Sequence, residues 1–386
     1  MPANLEAQLQ RWVSAGVVDA ATADRLRDFE AQHSGSQKLR WPIILALSFG
    51  GLLLAAGVLL FVAAHWDELS PSKRFALVLL LVALFHAAGA AAAGRFTALS
   101  RVLHAVGTAT LGAGIFLAGQ IFNLEEHWPG GIMLWAIGAA LAWWILRDWI
   151  QGLLVALLVP AWLAGEWIVA TENFVGGERI LAEGLLLLAI TYLTGSIAER
   201  RHPLRRALVV VGAIALIPSV PFAIESASDF YRWRHEPVVP LGLAALGWTL
   251  AFGLPLLLAV FLRGRAAALN LLAALWVWLL GTTGSNAEGG QLPILQFAWH
   301  ELGPYFLCGL GSVGLIAWGL RESRKERINL GIAGFALTVL VFYFSDVMDK
   351  LGRSEGLIGL GVLFLFVGWL LEKTRRRLVA RLGGQA

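Results

Sequence analysis

Long apolar runs separated by short polar segments dominate the chain from Ile43 onward. A helix needs about 20 apolar residues to cross the hydrocarbon core of a bilayer. These runs lack the alternation of polar and apolar positions that barrel strands show. Backbone polar groups within lipid must be hydrogen-bonded inside their own segment, so each run is predicted to be a helix. The twelve predicted spans are 43–64, 75–94, 102–122, 131–146, 150–170, 180–198, 207–223, 241–262, 266–281, 303–320, 328–345 and 356–371.

The first 40 residues follow a different pattern from the apolar runs. Apolar residues recur at helical spacing from Leu5 to Val13, Gly16 can end this helix, and Asp19 can cap a second one. Two helices this short do not bury enough surface to fold alone, so they are predicted to dock on another surface. That surface is either the protein's own cytoplasmic face or a cytoplasmic partner protein bound by residues 1–32.

These patterns predict an all-α, polytopic integral membrane protein in three parts. Residues 1–40 are a cytoplasmic helical hairpin and linker, residues 41–372 are the transmembrane helical domain, and residues 373–386 are a basic cytoplasmic tail.

Lys and Arg are concentrated in alternate loops, which predicts the orientation of the chain. With both termini cytoplasmic, the cytoplasmic segments hold 23 Lys and Arg residues and the outer loops hold 7. This partition requires a helix break at Arg147–Asp148, because one long helix over 131–170 would reverse every later loop. The sequence therefore predicts a tight helical hairpin at that point.

The composition supports the same class of protein. Of the 386 residues, 58% are hydrophobic and 15% are charged, whereas soluble proteins have roughly 25% charged residues. Too little polar surface remains to cover soluble domains, and Cys308, the only cysteine, cannot form an intramolecular disulfide. Nucleic-acid binding is not expected despite the net charge of +4, because residues 1–32 carry three basic and five acidic side chains.

Two carboxylates lie within predicted spans, where a charge is costly and commonly functional. Glu166 lies one turn from the outer end of one span, and Glu183 lies one turn into the next. Because they flank one loop at similar depth, they either face each other, sharing a proton or binding a cation, or reach interfacial water separately. His86 and His104 lie in two adjacent spans and are predicted to pair with each other or with the backbone, in a structural role or a proton relay.

Other polar residues at the predicted outer face complete a candidate polar site. The amides of Gln120 and Asn123 either line a polar cavity or cap the end of their helix. The full set is Glu166, Glu183, Gln120, Asn123, Asp67, His65, Glu126 and His127. Imidazole and carboxylate groups suit divalent ions, but no pair has diagnostic spacing. No metal site, cofactor or catalytic residue is therefore predicted.

Three stretches of the first 150 residues carry a family resemblance. They are Ala15-Gly16-Val17-Val18-Asp19, Ala63-Ala64-His65-Trp66-Asp67-Glu68-Leu69 with Lys73, and Gly119-Gln120-Ile121-Phe122-Asn123. In these stretches the chain resembles the bacterial predicted membrane proteins of domain-of-unknown-function family 2157. The resemblance implies a bacterial inner membrane protein and brings no established activity. The family pattern usually has Asn where His65 stands.

Two functions of different classes fit the sequence, and membrane lipids are expected partners of both. One is a transporter or permease for a small solute or ion, with a polar site near the outer face. The alternative is a non-transport envelope scaffold or sensor that binds a cytoplasmic partner through residues 1–32. An enzyme is the least favoured class, because no nucleophile, metal spacing or nucleotide motif is visible.

Overall fold

The computed structural model describes residues 3–33, 70–122, 127–195, 203–232, 237–283 and 293–343, with isolated positions between 46 and 60 and between 361 and 369. The regular structure of these residues is helical, apart from one parallel bridge between Val175 and Val238. The helices are α1 (Ala3–Ser14), α2 (Ala20–His33), α3 (Pro71–Ala92), α4 (Thr97–Phe122), α5 (Trp128–Leu146), α6 (Trp149–Thr171), α7 (Gly177–Thr194), α8 (Pro203–Arg232), α9 (Leu241–Arg263), α10 (Ala268–Thr282), α11 (Pro293–Arg321) and α12 (Lys325–Phe342).

Seven helical stretches in the described residues are long and apolar enough to cross a membrane. One of them, Leu241–Thr282, runs through α9 and α10 together. Helices α7 and α12 coincide with predicted spans but have charged residues in their first turn, and they are not among the seven. The predicted spans 43–64 and 356–371 lie outside the described residues except for isolated positions. The all-helical class is therefore confirmed, and the count of twelve spans stays a prediction.

The chain divides into two compact units, Met1–Glu125 and Glu126–Ala386. In the first unit, α1 ends before Gly16, whose φ of 68° suits a residue without a side chain. Asp19 then caps α2, because its Oδ1 accepts a hydrogen bond from the backbone N–H of Thr22 at 3.2 Å. Leu9 and Ala23 are buried, one on each of these two helices.

Helices α3 and α4 of the first unit form an antiparallel pair held by two histidines. Nδ1 of His86 and Nδ1 of His104 are 3.0 Å apart, so the predicted pairing of these two residues is confirmed. Each ring occupies the space left by a glycine on the opposite helix. A Cβ on Gly107 would lie 2.9 Å from the His86 ring, and one on Gly89 would lie 2.9 Å from the His104 ring.

In the second unit, α5 and α6 are separated where the sequence predicts a break. Helix α5 ends at Leu146, and Arg147 takes a left-handed conformation with φ 50°. Asp148 caps α6, because its Oδ2 accepts a hydrogen bond from the backbone N–H of Ile150 at 3.3 Å. The helix break at Arg147–Asp148 is confirmed.

Helix α7 is the most enclosed element of the second unit's described residues. It packs against α6, α8, α9 and α10, and thirteen of its eighteen residues are buried, so most polar side chains on it must find partners inside the protein. Its middle turns contribute Leu186 and Leu187 to an apolar core that also contains Val277 and Leu280 of α10.

Candidate functional site

Glu166, near the end of α6, is held by two neighbouring side chains. Its Oε2 is 2.6 Å from Nε2 of His127. Its Oε1 accepts a hydrogen bond of 2.8 Å from the indole Nε1–H of Trp162, one turn earlier on the same helix. Gly165 brings α6 close to the start of α5, since a Cβ at this position would lie 2.8 Å from the ring of Trp128. This close approach allows Glu166 to reach His127, the residue that precedes α5.

Glu183 on α7 is more deeply enclosed than Glu166. Its side chain is 0% exposed, and its Oε1 accepts a hydrogen bond of 2.9 Å from Nε of Arg179, one turn earlier. Its second oxygen, Oε2, is buried and has no hydrogen-bond partner. Arg179 is 18% exposed, and its guanidinium lies 5.8 Å from the centroid of the Trp248 ring. The pair therefore consists of a part-exposed cation and a fully buried carboxylate whose Oε2 has no hydrogen-bond partner.

The carboxylate of Glu183 lies against the backbone of α10 at Gly281. A Cβ at Gly281 would lie 2.6 Å from Cδ of Glu183 and 3.1 Å from Nη2 of Arg179. No side chain other than hydrogen fits at this position without displacing the ion pair. Gly281 is thus a part of the site that hydrophobicity alone does not single out.

The loop between α6 and α7 is held at both ends. The indole Nε1–H of Trp167 donates a 2.7 Å hydrogen bond to the carbonyl oxygen of Gly177, and the backbone N–H of Val175 donates one of 2.9 Å to the carbonyl oxygen of Pro237. Glu166 and Glu183 flank this loop, as the sequence predicts, but the hydrogen bonds of each are with different residues. The described contacts thus form two polar pairs, Glu166 with His127 and Glu183 with Arg179.

The remaining predicted site residues contribute no described side chain. His65, Asp67, Asn123 and Glu126 lie outside the described residues, and Gln120 lies in α4 but its side chain is outside them. Within the described part of the chain, no group of three or more His, Cys, Asp and Glu residues is arranged to hold a metal ion.

A second polar cluster, which the apolar pattern does not predict, lies at the other end of α7. Glu322, in the turn after α11, binds two guanidinium groups. Its Oε1 accepts a 2.6 Å hydrogen bond from Nη2 of Arg263, and its Oε2 accepts one from Nη1 of Arg327. Both arginines also donate to the carbonyl oxygen of Thr194, the last residue of α7. We call Arg263, Glu322, Arg327 and this carbonyl the Glu322 clasp.

The Glu322 clasp is buried although all three of its side chains are charged. The side chains of Arg263, Arg327 and Glu322 are 0%, 2% and 15% exposed. The ring of Trp318 lies beneath both guanidinium groups, with its centroid 4.9 Å from Cζ of Arg263 and 5.7 Å from Cζ of Arg327. Burial alone would raise the pKa of Glu322, but hydrogen bonds from Arg327, Trp318 and Arg263 outweigh it and hold this pKa below its ordinary value of 4.5.

Three further polar residues lie behind the clasp, between α7 and α10. Nδ2 of Asn270 donates to Oγ1 of Thr194 at 3.1 Å and to Oγ1 of Thr191 at 3.4 Å. All three residues are buried, and Oδ1 of Asn270 has no hydrogen-bond partner. The α7–α10 interface therefore has polar groups at both ends, around Glu183 and around Asn270, with apolar core between them.

The sequence contains only a weak signal for the clasp. Arg263 and Arg327 lie at the ends of apolar runs, where basic residues are expected as cytoplasmic charges that orient the chain. Glu322 lies among basic residues, where a single acid is easily taken as solvated. Their sequence separation hides the contact, because Arg263 and Glu322 are 59 positions apart along the chain.

Residues 10–151 match the family described as "Predicted membrane protein (DUF2157)". The predicted resemblance of the N-terminal region is thereby confirmed, and the chain is a membrane protein with several candidate spans. No curated protein and no solved structure matches the chain.

Proposed function

We propose that the protein is a transporter or permease for a small solute or ion, and that Glu183 is its binding group near the outer face. The observation that carries the proposal is the free Oε2 of Glu183, a buried carboxylate oxygen without a partner. Such an orphan acceptor is costly in an apolar surrounding and becomes favourable when a donor or a cation occupies it. The expected ligand is therefore a cation, a proton or a hydrogen-bond donor.

Arg179 forms the water-facing part of the proposed site. It is the part-exposed member of the pair and Glu183 is the buried one, so the Arg179 guanidinium has to move aside before a cation from water reaches the carboxylate. Binding of a cation at Glu183 competes with the hydrogen bond from Arg179, which offers a simple way of coupling occupancy to a side-chain movement. Gly281 supports this function because it leaves room for the carboxylate beside α10.

The proposed orientation places this site outside. In this orientation, twelve spans cross the inner membrane of a bacterium and both termini lie in the cytoplasm. The cytoplasmic parts include the hairpin at residues 1–40 and the basic tail at residues 373–386. The concentration of Lys and Arg in alternate loops supports this orientation. The arrangement places the start of α7 at the outer face and the Glu322 clasp at the cytoplasmic face.

The experiment is an ion-flux measurement on the full-length protein in liposomes. Entrapped pH-sensitive dye reports proton uptake, and Na⁺ and K⁺ serve as the other two probes. We expect flux above that of protein-free liposomes, and a fall of roughly tenfold in Glu183→Gln, since the neutral amide cannot take up a proton or pair with a cation. Glu166→Gln tests whether the second carboxylate belongs to the same pathway.

Glu178→Gln is the matched control, because Glu178 is an exposed acid on the same helix. It should retain the wild-type flux. Flux no greater than in protein-free liposomes for all three ions contradicts the proposal for ions, and wild-type flux in Glu183→Gln removes this residue from the mechanism.

A scaffold or sensor function is the second candidate, supported by the surface of α1 and α2. Trp12, Val17 and Leu26 expose apolar side chains to the surroundings, as a docking surface for a cytoplasmic partner does. Deleting residues 1–32 should then abolish the capture of that partner and leave membrane insertion intact. Loss of insertion would instead show that these helices serve the protein's own packing.

A further inference from the structure

We propose that the Glu322 clasp is a releasable closure of one end of the second unit's helix bundle, with Glu322 as the group whose contacts must break for it to open. The clasp joins four helices at one point, since its members lie at the end of α7, the end of α9, the turn after α11 and the first turn of α12. The inference rests on the proposed transport function, because opening this end would admit water or solute to the helix that carries Glu183.

Glu322 is the only negatively charged side chain among the described contacts of the clasp. It faces two guanidinium groups, and the third donor is the indole Nε1–H of Trp318 at 2.8 Å from Oε1. The partial negative charge at the C-terminus of α7 adds to the attraction of both arginines through the Thr194 carbonyl. Removing the charge of Glu322 leaves two like charges buried side by side, which favours the separation of α9 and α12 from α7.

The turn after α11 holds Glu322 in a defined backbone conformation. Ser323, directly after Glu322, has φ 52°, a left-handed conformation that is uncommon for a residue with a side chain. The N–H of Arg324 donates to the carbonyl oxygen of Gly319, and the N–H of Ser323 donates to that of Leu320, which ends α11 in a Schellman motif. This tight ending holds Glu322 at the position where both arginines reach it.

The surroundings of the clasp indicate closure of a polar space rather than simple packing. An apolar core would hold four helix ends together without desolvating any charge. Burying charged groups costs desolvation free energy, which only well-aligned ion pairs and hydrogen bonds offset. Two buried polar atoms here have no hydrogen-bond partner, Nε of Arg263 in the clasp and Oδ1 of Asn270 near it. Water that enters on opening satisfies both of them, so the open state regains part of the free energy that breaking the clasp costs.

The test is the accessibility of a buried cysteine behind the clasp. In full-length protein with Cys308→Ala, the substitution Thr191→Cys places one thiol at a position that is 0% exposed. We expect Glu322→Gln to raise the rate of labelling of this thiol by N-ethylmaleimide roughly tenfold, because the open state becomes more populated. Glu326→Gln, an exposed acid of the following turn, is the matched control and should leave the rate unchanged.

A second pair of variants covers the case in which Glu322→Gln does not fold. Arg263→Lys keeps the charge but loses the fork that reaches Glu322 and Thr194 together, and Arg265→Lys changes an exposed neighbour. We expect faster amide hydrogen exchange of residues 190–195 in Arg263→Lys alone. Equal labelling rates in folded Glu322→Gln and Glu326→Gln, or equal exchange in the two lysine variants, overturn the proposal. Both readouts work without ion flux, so absence of transport together with increased labelling refutes the proposed function and not the clasp.

Discussion

Gly281 packs against Glu183 with no room for a methyl group, which makes it the most sensitive small residue of the candidate site. A Cβ at this position would overlap the carboxylate and lie 3.1 Å from Nη2 of Arg179. We expect Gly281→Ala to displace the ion pair and to lower the free energy of unfolding by about 1–3 kcal/mol, as overpacking of an interior does. The measurement is the thermal unfolding midpoint of the detergent-solubilised protein.

The control for this substitution is Gly253→Ala. Gly253 also lies inside a helix, α9, but a Cβ there would meet no atom within 4 Å. The midpoint of this variant should stay the same or rise, because alanine favours the helix more than glycine does. Equal losses of stability in both variants would show that Glu183 does not occupy the space beside Gly281.

The depressed pKa of Glu322 predicts how the stability of the clasp depends on pH. A carboxylate with a lowered pKa in the folded state contributes stability that is fully present above its unfolded-state pKa and is lost as the pH falls through its folded-state pKa. For Glu322 the folded-state pKa lies below 4.5. The difference in unfolding midpoint between wild type and Glu322→Gln should therefore be constant at neutral pH and shrink only below about pH 4.5. A difference that disappears between about pH 8 and 6 would contradict this assignment of the charge.

Among single residues, the two carboxylates can be predicted from the sequence but their partners only in part. Glu166 and Glu183 stand out because a charge in an apolar run is rare. Which side chain meets Glu166 is decided by tertiary packing, since His127 lies 39 residues away and reaches it only because Gly165 lets α6 approach α5. Arg263 and Arg327 carry no such signal, because basic residues are common at the cytoplasmic ends of membrane spans whether or not they form ion pairs.

Among the elements, the start of α6 depends on the cap that Asp148 provides. Asp148 accepts a hydrogen bond from the N–H of Ile150 and so begins α6 directly after the left-handed Arg147. We expect Asp148→Ala to destabilise the hairpin by about 1 kcal/mol, whereas Asp148→Asn keeps an acceptor and loses less. Thermal unfolding of both variants checks this order, and an Asn variant as unstable as the Ala variant would show that charge rather than capping matters.

The apolar pattern predicts where helices lie more reliably than where they end. It separates α9 from α10, and the structure has a short 3₁₀ helix there over Gly264–Ala267, with φ 57° at Gly264. It also predicts a span over 207–223, whereas α8 extends over Pro203–Arg232. Hydrophobicity marks the part of a helix that suits lipid, but a helix continues into water as long as its hydrogen bonds and caps allow.

Across the whole molecule, the proposed orientation puts Glu183 toward the outer face of the membrane and the Glu322 clasp toward the cytoplasmic face. Glu183 and the end of α7 at Thr194 are 11 residues apart, which corresponds to about 16 Å along a helix. That distance is roughly half of a hydrocarbon core of about 30 Å. One helix therefore carries the proposed binding group and, toward its other end, the proposed closure, with the Leu186–Leu187 core between them.

Thiol labelling of single-cysteine variants in intact spheroplasts tests whether the two clusters face opposite sides of the membrane. In the Cys308→Ala background, Asn173→Cys reports the loop beside Glu183, and Lys325→Cys reports the turn beside the Glu322 clasp; both positions are exposed. With a membrane-impermeant maleimide, we expect labelling of Asn173→Cys from outside and of Lys325→Cys only after permeabilisation. Labelling of both from outside would place the two clusters on one side of the membrane, and labelling of Lys325→Cys alone would turn Glu183 toward the cytoplasm. Either result contradicts an outer binding site.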